Sequence, residues 1–265
     1  QCHAPMAVRE GATTDGLNLE DVDDTLQGVS CYFCHNTQEV HGDSNAELDL
    51  ANDLVMRGGY DDPTPNTAHA SAYSPLMDRN QIESSSACGA CHDVVTPAGV
   101  ELERTFMEWK ETLFAQDIPG MRQTCGNCHM DGRDDIAADY DGVPLRRVHA
   151  HGMPGVDIAI TDFPDQEGQR EEVERLLDTS LFTEMHVCDL GGAVEVTLDL
   201  ENIASGHSWS SGAAHDRRAW VELVAYEGDE VVYSSGKLSA DQALTELEDP
   251  NLWRMGDIVT DDDGH

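Results

Sequence analysis

The sequence predicts a mixed fold in two regions. A sparse, mainly helical N-terminal region with long loops comes first. A small antiparallel, sandwich-like β domain follows. Three observations carry this. Residues 1–160 are rich in turn formers, as in GGYDDPTPNT at 58–67, and hold no long apolar run. From residue 185 onward the apolar pattern changes from helical to alternating. Finally, cysteine and histidine recur together at a fixed spacing throughout the first region.

The elements follow in order. AELDLANDLVMR, residues 46–57, reads as a helix. Residues 99–115 read as another, with Leu102, Phe106, Met107, Leu113 and Phe114 as its apolar stripe. DQEGQREEVERLLDTSLF, residues 165–182, has the clearest helical period, through Val173, Leu176, Leu177 and Leu181. It forms the core of a connecting segment, 161–184. Val194, Val196, Leu198 and Leu200 then alternate with Glu195, Thr197 and Asp199, which predicts a half-buried strand. AWVELVAY (219–226) and VVYSSG (231–236) predict two more, joined at Glu227-Gly228-Asp229-Glu230. The β domain is expected to span 185–265. The end, Asp261-Asp262-Asp263-Gly264-His265, reads as an acidic loop with no closing element, so further residues are expected there.

The formal net charge is −37, from 52 acidic and 15 basic side chains, and only Lys110 and Lys237 are lysines. Such a surface repels nucleic acid and anionic membrane. No apolar run approaches membrane-spanning length. A cationic partner, bound metal ions or a salty habitat suits this charge, and so does simple solubility.

Six of the eight cysteines form Cys31-Tyr-Phe-Cys34, Cys88-Gly-Ala-Cys91 and Cys125-Gly-Asn-Cys128. Histidine follows each pair at once, as His35, His92 and His129. With 12 histidines in 265 residues, three such followers have a chance probability on the order of 10⁻⁴, and the pentapeptide is the signature of c-type haem attachment. Two thiols add across the two vinyl groups of one haem. The adjacent histidine falls under the iron as its proximal ligand. Zinc ribbons need no histidine after every pair. A thioredoxin-like dithiol needs one pair in a βαβ context, and disulfides would not select the histidine. Cys2-His3 reads as the tail of a fourth motif whose first cysteine precedes Gln1. That makes four haems c, three of them from complete motifs. Their macrocycles would form much of the core of residues 1–160, which completes the fold class as a haem-packed region. Cys188 has no partner motif and is expected to be a buried small hydrophobe or a free thiol.

Eight histidines remain, twice the expected haem number, so bis-histidine ligation is possible at every iron. His69, in a polar loop between motifs, is a candidate distal ligand. His149 and His151, after the last motif, are expected to point apart and serve different haems. His41 and His207 are further candidates. Met6, Met130 or Met153 is an alternative ligand that would raise a haem's potential.

CYFCHN, SACGACHDVVTP, ERTFMEW, TCGNCHM, RRVHAHGMPGVD and NIASGHSWSSGAAHDRRAWVEL together resemble the periplasmic or extracellular multihaem c-type cytochromes that carry a haem region before a C-terminal β domain. Relatives often read Gly-His-x-x-Pro-Thr-Gly where this chain reads Gly206-His207-Ser208-Trp209-Ser210-Ser211-Gly212. The resemblance implies closely stacked covalent haems, mostly bis-histidine, that relay electrons.

Two functions are therefore weighed. One is electron transfer, as a shuttle, a subunit of a redox complex or a filament unit. Its partners would be redox proteins, other cytochromes among them, or copies of the chain. The other is a multihaem oxidoreductase acting on a small nitrogen or sulfur compound at one open haem. No single acid or base stands out for it, and no lysine replaces a proximal histidine. A docking role for the β domain fits the first reading. Haem attachment follows export, so a periplasmic, cell-surface or extracellular location is expected.

Overall fold

The computed structural model describes residues 1–159 and 162–261; Ile160, Thr161, Asp262, Asp263 and the expected distal-pool histidine His265 lie outside them. The fold is mixed, and the chain divides into two compact units, Gln1–Trp209 and Ser210–His265.

In the first unit, single helical turns alternate with two-stranded ladders. Helix α1 is Pro5–Arg9 and α2 is Cys31–His35. Strands β1 (Thr37–Val40) and β2 (Leu48–Leu50) pair antiparallel, whereas β3 (Val55–Gly58) and β4 (Ala70–Tyr73) pair parallel. Helix α3 (Ser84–Gly89) leads to β5 (Val94–Val95) and β6 (Glu101–Glu103), and then to α4 (Thr105–Glu111). Helix α5 (Cys125–His129) precedes the hairpin of β7 (Gly132–Ile136) and β8 (Leu145–His149). Helix α6 (Gln166–Asp178) and the hairpin of β9 (Phe182–Asp189) and β10 (Val194–Glu201) complete the unit.

The region is thus less helical than expected. Residues 46–57 form β2 and β3 and no helix. Ala46 and Asn52 have φ of 57° and 52°, which no right-handed helix contains. Asn36, wholly buried, takes the backbone bonds instead. Its Oδ1 accepts from Asn52 N at 2.8 Å, and its Nδ2 donates to Asp53 O at 3.0 Å. Leu48 and Leu50 are both buried, with the period of a strand. The helix expected over 99–115 is divided: β6, then α4, then a 3-10 turn at Leu113–Ala115. Thr112 is extended, and its Oγ1 accepts from Phe114 N at 3.2 Å. Within α4, Phe106 and Trp109 are buried and stacked with centroids 5.5 Å apart.

Asp53 organises the turn between β2 and β3. Arg57 reaches both of its carboxylate oxygens at 3.0 and 3.2 Å, and Val55 N donates to it at 3.1 Å. The Arg57 bonds come first in holding the carboxyl down to about 2. A pKa below its unfolded value adds stability above pH 4, lost as pH falls toward 2. Asp53→Asn should therefore lower the urea midpoint at pH 7. That deficit should vanish by pH 2, and a deficit constant across pH 2–7 would contradict it.

Helix α6 matches the predicted period, although it ends at Asp178 and only Val173 is fully buried. The β9–β10 hairpin differs more. Val194, Val196 and Leu200 share one face with Met185 and Val187 of β9, and all five are exposed. The expected half-buried strand is a hairpin bare on both faces. Cys188 is exposed on it rather than buried.

In the second unit, β11 (Ala219–Trp220) pairs with β14 (Arg254–Met255), and β12 (Leu223–Glu227) with β13 (Glu230–Ser235). Gly228, with φ of 61°, makes the predicted tight turn. Among the described residues every sheet has two strands, so no sandwich is assembled. No described helix is long and apolar enough to cross a membrane.

The core is thin. Among the described residues eleven apolar side chains are buried, three of them alanine. The chain leaves 17587 Å² accessible. A compact chain of this mass, folded as one body or two, would leave about 11,000–13,000 Å².

Candidate haem centres

Each complete Cys-x-x-Cys-His stands on a helical turn. Helices α2 and α5 consist of the motif itself. Cys88 lies in the last turn of α3, and the N–H groups of Cys91 and His92 both donate to its carbonyl at 3.0 Å. Residues three apart share a helix face, so the turn sets both sulfurs of a pair on one side. Each turn is fixed from outside. Ser30 Oγ accepts from Phe33 N at 3.3 Å, and Thr124 N donates to Asn127 Oδ1 at 2.8 Å. Cys125 N donates to Ser85 Oγ at 3.2 Å, which ties α5 to α3. Cys2-His3 immediately precedes α1.

The motifs converge. The side chains of Cys2 and Cys91 are neighbours, and so are those of Cys88 and Cys125. Each contact favours one thiolate, at Cys2 and at Cys125, and holds the proton on its partner.

Two of the motif histidines face a second imidazole. His35 and His151 have ring centroids 6.2 Å apart, and His129 and His207 have theirs 6.4 Å apart and nearly parallel, at 16°. Two imidazoles bound through nitrogen to opposite sides of one metal, each bond about 2.0 Å long, place their centroids about 6 Å apart. The other ring nitrogens are oriented accordingly. His35 Nδ1 donates to Arg57 O at 2.5 Å, His129 Nδ1 to Pro154 O at 2.7 Å, and His207 Nδ1 to Ser208 O at 2.9 Å. A carbonyl on Nδ1 leaves the Nε2 lone pair free for a metal. Burial lowers the His129 pKa, which keeps that imidazole neutral as ligation requires. His92 Nδ1 lies 3.3 Å from Glu103 Oε1, which raises its pKa and orients it the same way.

The distal partners come from distant segments. Gly206, with φ of 72°, packs against Phe114, and Asn202 Nδ2 donates to His207 O at 2.7 Å. Ala150 N donates to Asp131 O at 2.8 Å and carries the chain past β8 to His151. Residues 149–154 thus supply His151 to one site and the Pro154 carbonyl to the other.

The remaining candidates differ. His69 is exposed, and its Nδ1 donates to Ala70 O at 3.0 Å. His41 is a surface ion-pair member instead: its Nε2 lies 2.7 Å from Asp49, whose hydrogen bond raises its pKa. His149 meets Arg79, with NH1 2.8 Å from Nδ1. Strand alternation does not part His149 from His151, because residues two apart share a strand face. They part because β8 ends at His149. Glu103 and Arg79 carry no sequence signal, and the Arg57 and Pro154 carbonyls could carry none.

SACGACHD is joined to ERTFMEW by its own backbone. Phe106 N donates to His92 O at 3.1 Å, and Met107 N to the buried Asp93 carboxylate at 3.2 Å. A Cβ at Gly89 would overlap the Phe106 ring. Gly89→Ala should destabilise by about 1–3 kcal/mol through overpacking. Denaturant unfolding of the two proteins checks this, and equal midpoints would refute it.

Among the described residues, no three His, Cys, Asp or Glu side chains converge on one metal position. Comparison with protein-family models, curated proteins and solved structures gives no match for this chain.

Proposed function

We propose that this chain is a multihaem c-type cytochrome that transfers electrons through about four closely spaced, covalently attached haems outside the cytoplasm. The observation that carries this reading is the pair of facing imidazoles, each containing the histidine of a Cys-x-x-Cys-His turn. When bound, haem supplies a one-electron iron couple. Cys31 and Cys34, Cys88 and Cys91, and Cys125 and Cys128 hold the macrocycles, with Cys2 at the fourth. His35, His92, His129 and His3 would bind the irons, and His151, facing His35, and His207, facing His129, would supply second ligands. The carbonyls on Nδ1 fix the rings, so little of the chain rearranges when charge arrives or leaves. Thiol contacts between Cys2 and Cys91 and between Cys88 and Cys125 bring neighbouring attachment edges together. The Cys88–Cys91 site thus adjoins both the Cys2 site and the Cys125–Cys128 site.

Thioether formation after export supports a periplasmic, cell-surface or extracellular location. Partners are redox proteins or further copies of the chain. The pyridine haemochrome of the purified protein tests the reading. Four haems per chain are expected, and three would remove Cys2-His3 from the set. Oxidised and reduced spectra should be six-coordinate and low-spin. A five-coordinate haem in the native protein would favour the oxidoreductase.

A further inference from the structure

Two imidazoles can share one metal only if the segments that carry them are held at a fixed separation. His35 ends α2, and His151 lies beyond β8 in the strap of residues 149–154, far away in sequence. One short run, Arg57 to Asp62, touches both sides. At its start, Arg57 O accepts from His35 Nδ1 at 2.5 Å. Next, the Tyr60 hydroxyl donates to Arg147 O of β8 at 2.8 Å, across 87 positions of sequence. Then Asp62 takes the Arg146 guanidinium on both carboxylate oxygens, at 2.7 and 3.3 Å. The same guanidinium stacks on the Tyr60 ring, 4.5 Å from its centroid.

The run is braced. Val55–Gly58 is laddered to β4, and Ser74 N donates to Gly58 O at 2.9 Å. A Cβ at Gly59 would lie 2.9 Å from Met77 O, so the backbone there rests directly on its neighbour. Pro63 follows Asp62, and a residue before proline is confined to extended conformations. Tyr60 and Asp62 therefore project from a stiff support and meet β8 just before the strap. Their grip is directional: the ion pair is two-pronged, and only 17% of the Arg146 side chain is exposed. Asp62 is 73% exposed, so salt reaches this pair.

We infer that Tyr60 and Asp62 are positioning residues for the His35–His151 pair. They clamp β8 to the segment that orients His35, so that the strap presents His151 to the open side of that ring. This rests on the haem reading above. Without the clamp His151 still reaches the site, but it leaves more often.

Carbon monoxide binds a reduced bis-histidine haem only after one imidazole lets go, so its binding rate reads that release. The haem-loaded wild type, Tyr60→Ala, Tyr60→Phe and Asp62→Asn are compared. In Tyr60→Ala one kinetic component should speed up about tenfold, the worth of a hydrogen bond and a cation–π contact. The other components should overlay, and the haem count and resting low-spin spectrum should match wild type. Tyr60→Phe keeps the ring under Arg146 and should fall between the two. Asp62→Asn should also speed that component, and high ionic strength should bring the wild type toward its rate. In His151→Gly the site is already open, so adding Tyr60→Ala should change nothing. A Tyr60→Ala trace that overlays wild type would overturn the inference. So would equal acceleration of every component, which a general loosening produces, or further acceleration on the His151→Gly background. If Tyr60→Ala does not fold, unmoved rates in both Tyr60→Phe and Asp62→Asn overturn it. Failure of the haem reading is distinct: the purified wild type would contain no haem.

Discussion

On the haem reading, the His207→Gly variant should keep the wild-type haem count, while one haem should change from low-spin to high-spin. The facing rings of His129 and His207 are the reason. His129 stays in place, held by the Pro154 carbonyl at 2.7 Å and by its own helical turn. Covalent attachment through Cys125 and Cys128 would not depend on the side that His207 faces. The variant would lose one ligand only. About a quarter of the low-spin signal should disappear if four haems contribute equally. Added imidazole should restore it. Glycine suits this position, because the loop is held by Gly206 against Phe114 and by Asn202 to the backbone carbonyl of residue 207. An unaltered low-spin spectrum would dissolve the His129–His207 pairing.

The same chain made without haem attachment should lack a cooperative thermal transition, and haem loading should confer one. Ordering a residue costs roughly 1–2 kcal/mol of backbone entropy. Among the described residues the apolar burial available to offset this is two small clusters, Phe33, Leu48, Leu50 and Ala90, and Ala4, Ala7 and Val22, with Phe106, Trp109, Val173 and Leu244 buried outside them. Loss of attachment should therefore remove the whole of a typical folding free energy, about 5–15 kcal/mol. Circular dichroism melts of the haem-loaded and haem-free chains decide it. A sharp transition in the haem-free chain would show that the polypeptide carries its own core.

The Cys-x-x-Cys-His turns were legible because they are local. The Cys-x-x-Cys-His spacing is a property of one helical turn, and α2 and α5 begin and end on it. Which histidines face them was only partly legible, because loop geometry decides which imidazole arrives. His151 and His207 were on the candidate list beside His41 and His149, and nothing local separated them. Asp49 and Arg79 do so, and both lie elsewhere in the sequence. The helix expected at 46–57 failed for a similar reason. Leu48, Leu50 and Leu54 fit either period, and the buried Asn36 decides against the helix by taking the backbone bonds. The alternation in 194–200 was legible as a strand, yet alternation states only which side chains share a face. It does not supply a layer to cover that face, and here none of the described sheets does so.

The order in which the chain emerges gives the 149–154 segment a kinetic consequence. His35 is synthesised well before His151, and His129 before His207. Each early site must therefore wait for a partner from a later stretch, a long loop closure that is intrinsically slow. During that interval any exposed imidazole, such as His69, competes for the open side. On the haem reading the 149–154 strap would complete the His35 site and orient His129, whereas the open side of His129 would still wait for His207. Maturation should then show two separable late steps, the His35 site first and the His129 site second.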